Sequence, residues 1–557
     1  MTGHGVGPFC TGCRPEPADN TYRRKVGVFV MTREELHGDV RLDPAWPSIL
    51  FERDEDADRS VNPARPTHFE DLHLDQVIGT IVASRPEHHL EPFFETPLRY
   101  TAGIAYRQAV FRDCENPVVR QALDTWSAHM RAVRGRLEDV RALPYRYEQD
   151  AWFLDAVSLY GEAVTALRAA LDGAPIRSDG LVGFARALGR YADSSRFRLL
   201  REEAQTVRAA LATIRYSLTI KGLKLTVRPF EDRPDYTAAV AATFSKFRQE
   251  DQNSYLVRFA DARTMNRVEA EVVALVAKLF PDVFGRLTAF SDRHRDFLDP
   301  GVTRFDREIQ FYLAYLDYRD RIRHGGLPFC YPELVAGESR VDVRRTFDLA
   351  LAEKRMSETA DPAPVVPNDF RLTPLEQIAI ITGPNQGGKT TLARAIGQVF
   401  YLASLGCPVP GESAVIPAID GVFTHFERAE SAGSGRGQLK DDLIRLRSIL
   451  DHATASSVVI LNEVFTSTTF DDALYLSSEM LMRLQGLGAL VVLVTFLVEL
   501  QAGDPKRASF VALVDPHDPT RRTYRIIRNP GDGLSYAATL AERHRLTYPQ
   551  LRERLTP

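Results

Sequence analysis

Between residues 380 and 391 the chain reads Ile-Ile-Thr-Gly-Pro-Asn-Gln-Gly-Gly-Lys-Thr-Thr. An apolar run ends in Gly383, four residues follow, and then come Gly388, Lys389 and Thr390. No other stretch constrains the fold as tightly. This spacing directly after a strand is the pattern of a phosphate loop, whose backbone N–H groups close around phosphate oxygens while a helix starts immediately behind. It predicts strand, loop and helix in succession, with a nucleoside triphosphate as ligand. Gly383, Pro384, Asn385, Gln386, Gly387 and Gly388 form the loop, Lys389 can reach the β and γ phosphates, the Thr390 hydroxyl can ligate Mg2+, and Thr391 leads into the helix.

A chain of 557 residues is too long for one hydrophobic core and should divide into about two to four domains. A net charge of −4 gives no overall pull toward nucleic acid, so such a contact must come from a local patch. Only nine of the 70 basic residues are lysine, which makes Lys389 one of few. Five cysteines do not make a disulfide framework and point to a reducing cytoplasm, and the Cys10/Cys13 pair lacks the further ligands a zinc site needs. The longest apolar run, residues 486–498, is too short to span a bilayer, and the first residues lack the basic and apolar regions of a secretory signal.

Residues 1–66 are rich in Pro, Asp, Glu and Arg and read as a poorly ordered leader. From His68 to about Arg355 the pattern is helical, with Phe153, Val157, Tyr160, Val164, Leu167 and Leu171 on one face and Val268, Val272, Val273 and Val276 on another. Alternation over residues 215–220 and 223–227 around Lys221-Gly222 predicts a hairpin set into the helices. The proline-rich residues 356–367 read as a linker. Beyond it, strands over 377–382, 457–461, 488–495 and 509–514 alternate with helices over 388–403, 437–453 and 471–484, which predicts a parallel sheet covered by helices.

Cleavage of a γ phosphate needs a metal anchor and a group that activates water. The run Val458 to Leu461 ends in Asn462-Glu463, so Glu463 emerges beside the phosphate loop if the two strands are neighbours. A carboxylate there can orient and deprotonate water. Asn462 occupies the usual place of a metal-side aspartate and can hold Mg2+ only through a bound water, so turnover should be slow. Ser434, Gly435, Arg436 and Gly437 open a further helix, whose small residues and exposed amides make a second anion site and suggest ATP held between two copies.

Together these residues resemble the ATPase domain of the MutS DNA mismatch-repair family. The resemblance rests on Gly383 to Thr391, on Val366 to Asp369 before it, and on Ser434-Gly435-Arg436 and Leu461-Asn462-Glu463 after it. Pro530 to Ala537 is similar to the segment that closes that domain, and Thr96-Pro97-Leu98 with Ile104, Arg107, Gln108 and Val110 resembles the start of the family's helical core. The resemblance implies a multidomain protein: a mainly α-helical core and lever region over 67–355, with a clamp insertion near 186–260, the 356–367 linker, an α/β P-loop ATPase domain of the ABC/MutS type over 368–535, and a C-terminal helical tail over 536–557. It further implies ATP and Mg2+ as cofactors, a homodimer, Lys389, Asn462 and Glu463 as the catalytic group, and Ser434 to Gly437 as a signature reaching the partner's γ phosphate. Ser467, Thr468 and Thr469 would communicate across the dimer.

The chain departs from the family at Asn462, at Gly437-Gln438 where Ser-Thr is usual, and at Phe496 where histidine is usual. The family's N-terminal mismatch-binding domain has no counterpart, which implies a divergent member. Phe93-Phe94-Glu95 repeats the family's Phe-x-Glu wedge pattern but lies at a helix junction, where packing is the expected role.

Residues 186–228 carry ten basic side chains against three acidic ones, and Arg208, Arg215, Lys221, Lys224 and Arg228 are the candidate DNA contacts. The resulting expectation is an ATPase that clamps duplex or branched DNA in repair or recombination. An RNA- or ribosome-associated MutS-like ATPase, and a non-hydrolysing protein that uses ATP only as a dimerisation switch, are the alternatives.

Overall fold

The computed structural model describes residues 46–53, 57, 67–222, 224–230, 264–335, 339–358, 364–426, 438–501, 504–515, 518, 521–528 and 552. Ser434 to Gly437, Cys10, Cys13 and residues 530–537 lie outside them.

The first half is built of helices whose starts are written locally. Asn116 accepts from the Val118 N–H ahead of Pro117–Ala142, Ser178 and Ser194 cap Asp179–Ala192 and Ser195–Ala212, and Asn266 with Glu269 forms a capping box on Arg267–Leu279. The stripe from Phe153 to Leu171 is buried along Arg146–Asp172, as its helical spacing predicts. On Arg267–Leu279 the same reasoning succeeds only in part: Val276 is buried, whereas Val268 is 60% exposed. The long Pro300–His324 helix runs through the core, with Phe311 against Phe93, Phe94 and Phe111. Phe93 and Phe94 are thus core residues. Trp46, Ile49, Leu50 and Phe51, within the stretch expected as a leader, are buried as well, and Trp46 packs on Phe184 and Tyr191. Their apolar surface is withdrawn from water even though the surrounding composition is polar.

Tyr216–Lys221 and Lys224–Pro229 pair antiparallel, which is the expected hairpin. Short strands also appear where none was expected: Phe329–Cys330, Glu333–Val335, Val341–Thr346, Asn368–Leu372, Val409–Pro410 and Ser413–Pro417. Four of these make a small mixed sheet in the order Glu333–Val335, Ser413–Pro417, Val341–Thr346, Asn368–Leu372. Their few residues and charged side chains carry too little alternation to show in the sequence.

The larger sheet runs in the order Gly421–Phe426, Ser457–Asn462, Leu490–Val494, Ile378–Thr382, Arg507–Val514, Arg522–Arg528, parallel except for the last strand. Ile378–Thr382 and Leu490–Val494 are buried throughout, which is why they read as unbroken apolar runs. The strand of Asn462 does not neighbour the phosphate-loop strand, since Leu490–Val494 lies between them. The helical region is bonded into this half. The Leu98 N–H donates to Ser404 O at 2.9 Å, the Tyr401 hydroxyl to Phe94 O at 2.9 Å, and Tyr315 to Pro408 O. Arg107, fully buried, donates to Leu50 O at 2.8 Å and Leu405 O at 3.1 Å.

Candidate functional site

The phosphate loop leaves Ile378–Thr382 at its carboxyl end and enters the Lys389–Ser404 helix. Two glycines in it are required by geometry. Gly383 has φ +125°, and a side chain there would meet the Ala512 backbone N at 3.0 Å; Gly388, at φ +93°, caps the helix. Gln386, with φ +61°, and Glu463 and Phe465, with φ +52° and +62°, are held in the left-handed region without being glycine. Such strain costs about 1–3 kcal/mol per residue and persists where the surroundings impose it, commonly at functional sites.

Lys389 is buried, and its ammonium donates to Gly383 O at 2.9 Å and Pro384 O at 3.2 Å. Its Nζ lies 3.9 Å from Glu463 Oε1. Burial pushes the lysine below its usual range, Glu463 opposes this, and Arg522 adds to it. Arg522 was not read from the sequence. It lies on the antiparallel edge strand and donates from Nε to Asn385 O at 3.1 Å. No motif marks it. Asn368, within the quoted Val366 to Asp369 segment, ties the same strand down by accepting from Ile526 N at 2.7 Å and donating to Tyr524 O at 3.0 Å.

Thr390 donates its hydroxyl to Asn462 Oδ1 at 2.8 Å. The Glu463 N–H donates to Val494 O at 2.9 Å, so the intervening strand holds the carboxylate at the level of the loop. The structure therefore brings Lys389, Thr390, Asn462 and Glu463 together although their strands are not adjacent. Residues 379–515 match MutS domain V. That family uses ATP, and the match gives this part of the chain the potential of an ATPase. It spans the loop, Asn462 and Glu463, and stops short of Arg522.

The donor set suits a Mg2+-triphosphate: an ammonium turned onto loop carbonyls that phosphate oxygens can replace, a hydroxyl facing an amide oxygen for the metal, and one carboxylate beside them. Phe496 is 51% exposed, and Thr469 caps the Phe470–Leu487 helix by accepting from Asp472 N at 3.3 Å. Ser467 and Thr468 precede that cap.

The candidate DNA residues lie elsewhere. Arg215, Lys221, Lys224 and Arg228 are exposed on or next to the hairpin. Arg208 pairs with Asp155 at 2.7 Å on the helix before it, so part of its charge is already engaged. At the hairpin tip Lys221 and Lys224 are register partners around Gly222, which has φ +63°. No helix among the described residues is long and apolar enough to cross a membrane.

Proposed function

We propose that this protein is a MutS-like ATPase that works as a dimeric clamp on duplex or structured DNA in repair or recombination. The observation that carries the reading is the convergence of Lys389 and Glu463, 3.9 Å apart at a phosphate loop within a MutS domain V match. ATP, when bound, supplies the phosphoryl group, and this chain's residues hold it. Lys389 and the loop amides would bind the phosphates, Thr390 would ligate Mg2+ directly and Asn462 through water, and Glu463 would accept the proton of the attacking water. Asn462 brings no negative charge to the metal side, which supports slow turnover. Ser434 to Gly437 of a second copy would complete the site.

For DNA, the supporting observation is the tip pair Lys221 and Lys224. Like charges in register destabilise a hairpin by a few tenths of a kcal/mol or more, and an anionic partner turns that cost into attraction. The decisive test is ATP hydrolysis by wild type and Lys389→Ala with no nucleic acid, duplex DNA, a four-way junction, single-stranded DNA and structured RNA. DNA-stimulated turnover that Lys389→Ala abolishes is expected. Stimulation by RNA alone moves the protein to RNA, and tight ATP binding without turnover leaves a nucleotide-gated switch. With DNA, Lys221→Ala plus Lys224→Ala should flatten the log Kd versus log salt slope by about two, roughly one per lost phosphate contact.

A further inference from the structure

Asp71 ends the short His68–Asp71 helix at the start of the helical region, is 7% exposed, and is bonded from three directions. Its carboxylate accepts from the Thr424 hydroxyl at 2.7 Å and from Arg445 at 3.3 Å, and its carbonyl accepts from Arg394 Nε at 3.3 Å. Thr424 is on the Gly421–Phe426 strand, Arg445 on the Gln438–His452 helix, and Arg394 on the helix that begins with Lys389. A buried carboxylate needs hydrogen bonds, but a single neighbouring element would satisfy it. Here the partners come from a strand and from two helices, one of which begins at the phosphate loop.

The bonds continue on both sides. Arg445 also donates to Phe426 O at 3.3 Å, and Phe426 is the ladder partner of Asn462, whose amide oxygen accepts from Thr390 at 2.8 Å. Thr390 and Arg394 are four residues apart on one helix and therefore on the same face. Thr390, Asn462, Phe426, Arg445, Asp71 and Arg394 are joined in a ring by side-chain bonds, one strand register pair and one turn of helix, which ties the middle of the Gln438–His452 helix to the first turns of the phosphate-loop helix. His425 and Asp442, paired at 3.0 Å, hold the same strand and helix together beside the ring. Arg394 also pairs with Asp348 at 3.1 Å, the residue that caps Leu349–Ser357.

We infer that Asp71 is a positioning residue that locks the Gln438–His452 helix to the phosphate-loop helix and carries the state of the nucleotide site into the helical region. This rests on the nucleotide reading above and names the route by which that site is regulated. These bonds reach the phosphate-loop helix through Arg394 and not the loop itself, so losing Asp71 should spare nucleotide affinity and remove coupling.

The test uses full-length wild type, Asp71→Ala, Asp71→Glu and Arg445→Gln with Mg2+ and a non-hydrolysable ATP analogue. Affinity is read by fluorescent-nucleotide titration, amide exchange by mass spectrometry, and steady-state turnover with ATP. Wild type should show nucleotide-induced protection in both helices. Asp71→Ala and Arg445→Gln should bind within about threefold of wild type and keep protection in residues 389–404. They should lose the nucleotide-dependent protection of residues 438–452, and kcat should fall by about tenfold or more with KM little changed. Asp71→Glu should restore part of both. Nucleotide-induced protection of 438–452 at the wild-type level in the variants overturns the inference and leaves the ATPase reading standing. Failure of wild type to bind nucleotide overturns that reading and the inference with it. Arg445→Gln, on a side chain 32% exposed, keeps the test alive should Asp71→Ala not fold.

Discussion

Replacing Glu463 by glutamine keeps the side-chain shape and removes one charge 3.9 Å from the Lys389 ammonium. At an effective dielectric near 20, unit charges at that distance attract by about 4 kcal/mol. The Glu463 side chain is 29% exposed, so solvent screening brings the usable part to roughly 1–2 kcal/mol. In the wild type this attraction competes with phosphate for the ammonium. Its loss should tighten ATP binding by about five- to thirtyfold. The same change removes the group placed to accept a proton from water, an effect of about a hundredfold to ten-thousandfold on the chemical step. Glu463→Gln should therefore bind ATP at least as well as wild type and release phosphate at least about a hundred times more slowly in a single turnover. Titration with a fluorescent ATP analogue and a phosphate-release assay give the two numbers. Phosphate release within about threefold of wild type would show that the base lies elsewhere and that the Lys389–Glu463 pair is only an ion pair.

Gly383→Ala forces a Cβ to within 2.9 Å of Ala512 Cβ at a φ of +125°, so nucleotide binding should weaken by about tenfold or more while circular dichroism stays unchanged. Arg107→Leu strips the hydrogen bonds from Leu50 O and Leu405 O and removes a guanidinium stacked on Phe51 and Phe311; urea denaturation should show a loss of about 3–5 kcal/mol. His68 is held neutral by burial, its pKa lowered from 6.5 to about 4. Because the unfolded chain takes up that proton at higher pH than the folded one, stability should fall as pH drops from 6.5 toward 4 and level off below. The loss at pH 5 relative to neutral is about 2 kcal/mol, and His68→Gln should flatten it in urea melts at the two pH values.

The parts of the fold legible in the sequence are those where one local pattern suffices. Buried parallel strands appear as apolar runs, the Phe153 to Leu171 stripe appears as a helix face, and the loop glycines appear because only that spacing builds a phosphate cradle. Strand order has no such signature. The position of Leu490–Val494 between Ile378–Thr382 and Ser457–Asn462 is a long-range choice, and the assumption of adjacency failed there even though Glu463 still reaches Lys389. Arg522 and Asp71 were missed because one among many arginines and one exposed-looking aspartate acquire meaning only through partners 137 and 374 residues away. Asn368 could be quoted from its segment, but its grip on Tyr524 and Ile526 depends on where the edge strand folds.

The strand Leu490–Val494 bears no chemistry, yet it acts as the gauge block of the site. Strands stand about 4.8 Å apart, so inserting one sets the loop backbone and the Glu463 backbone near 10 Å from each other, a gap that a lysine side chain and a phosphate chain can fill. Backbone hydrogen bonds, not side-chain volume, fix that separation, so the width of the site survives any substitution that leaves the strand in the sheet. Enlarging or trimming Val492 or Leu493 would strain or hollow the core on the faces of the sheet and lower stability, while the distance across the site stayed the same.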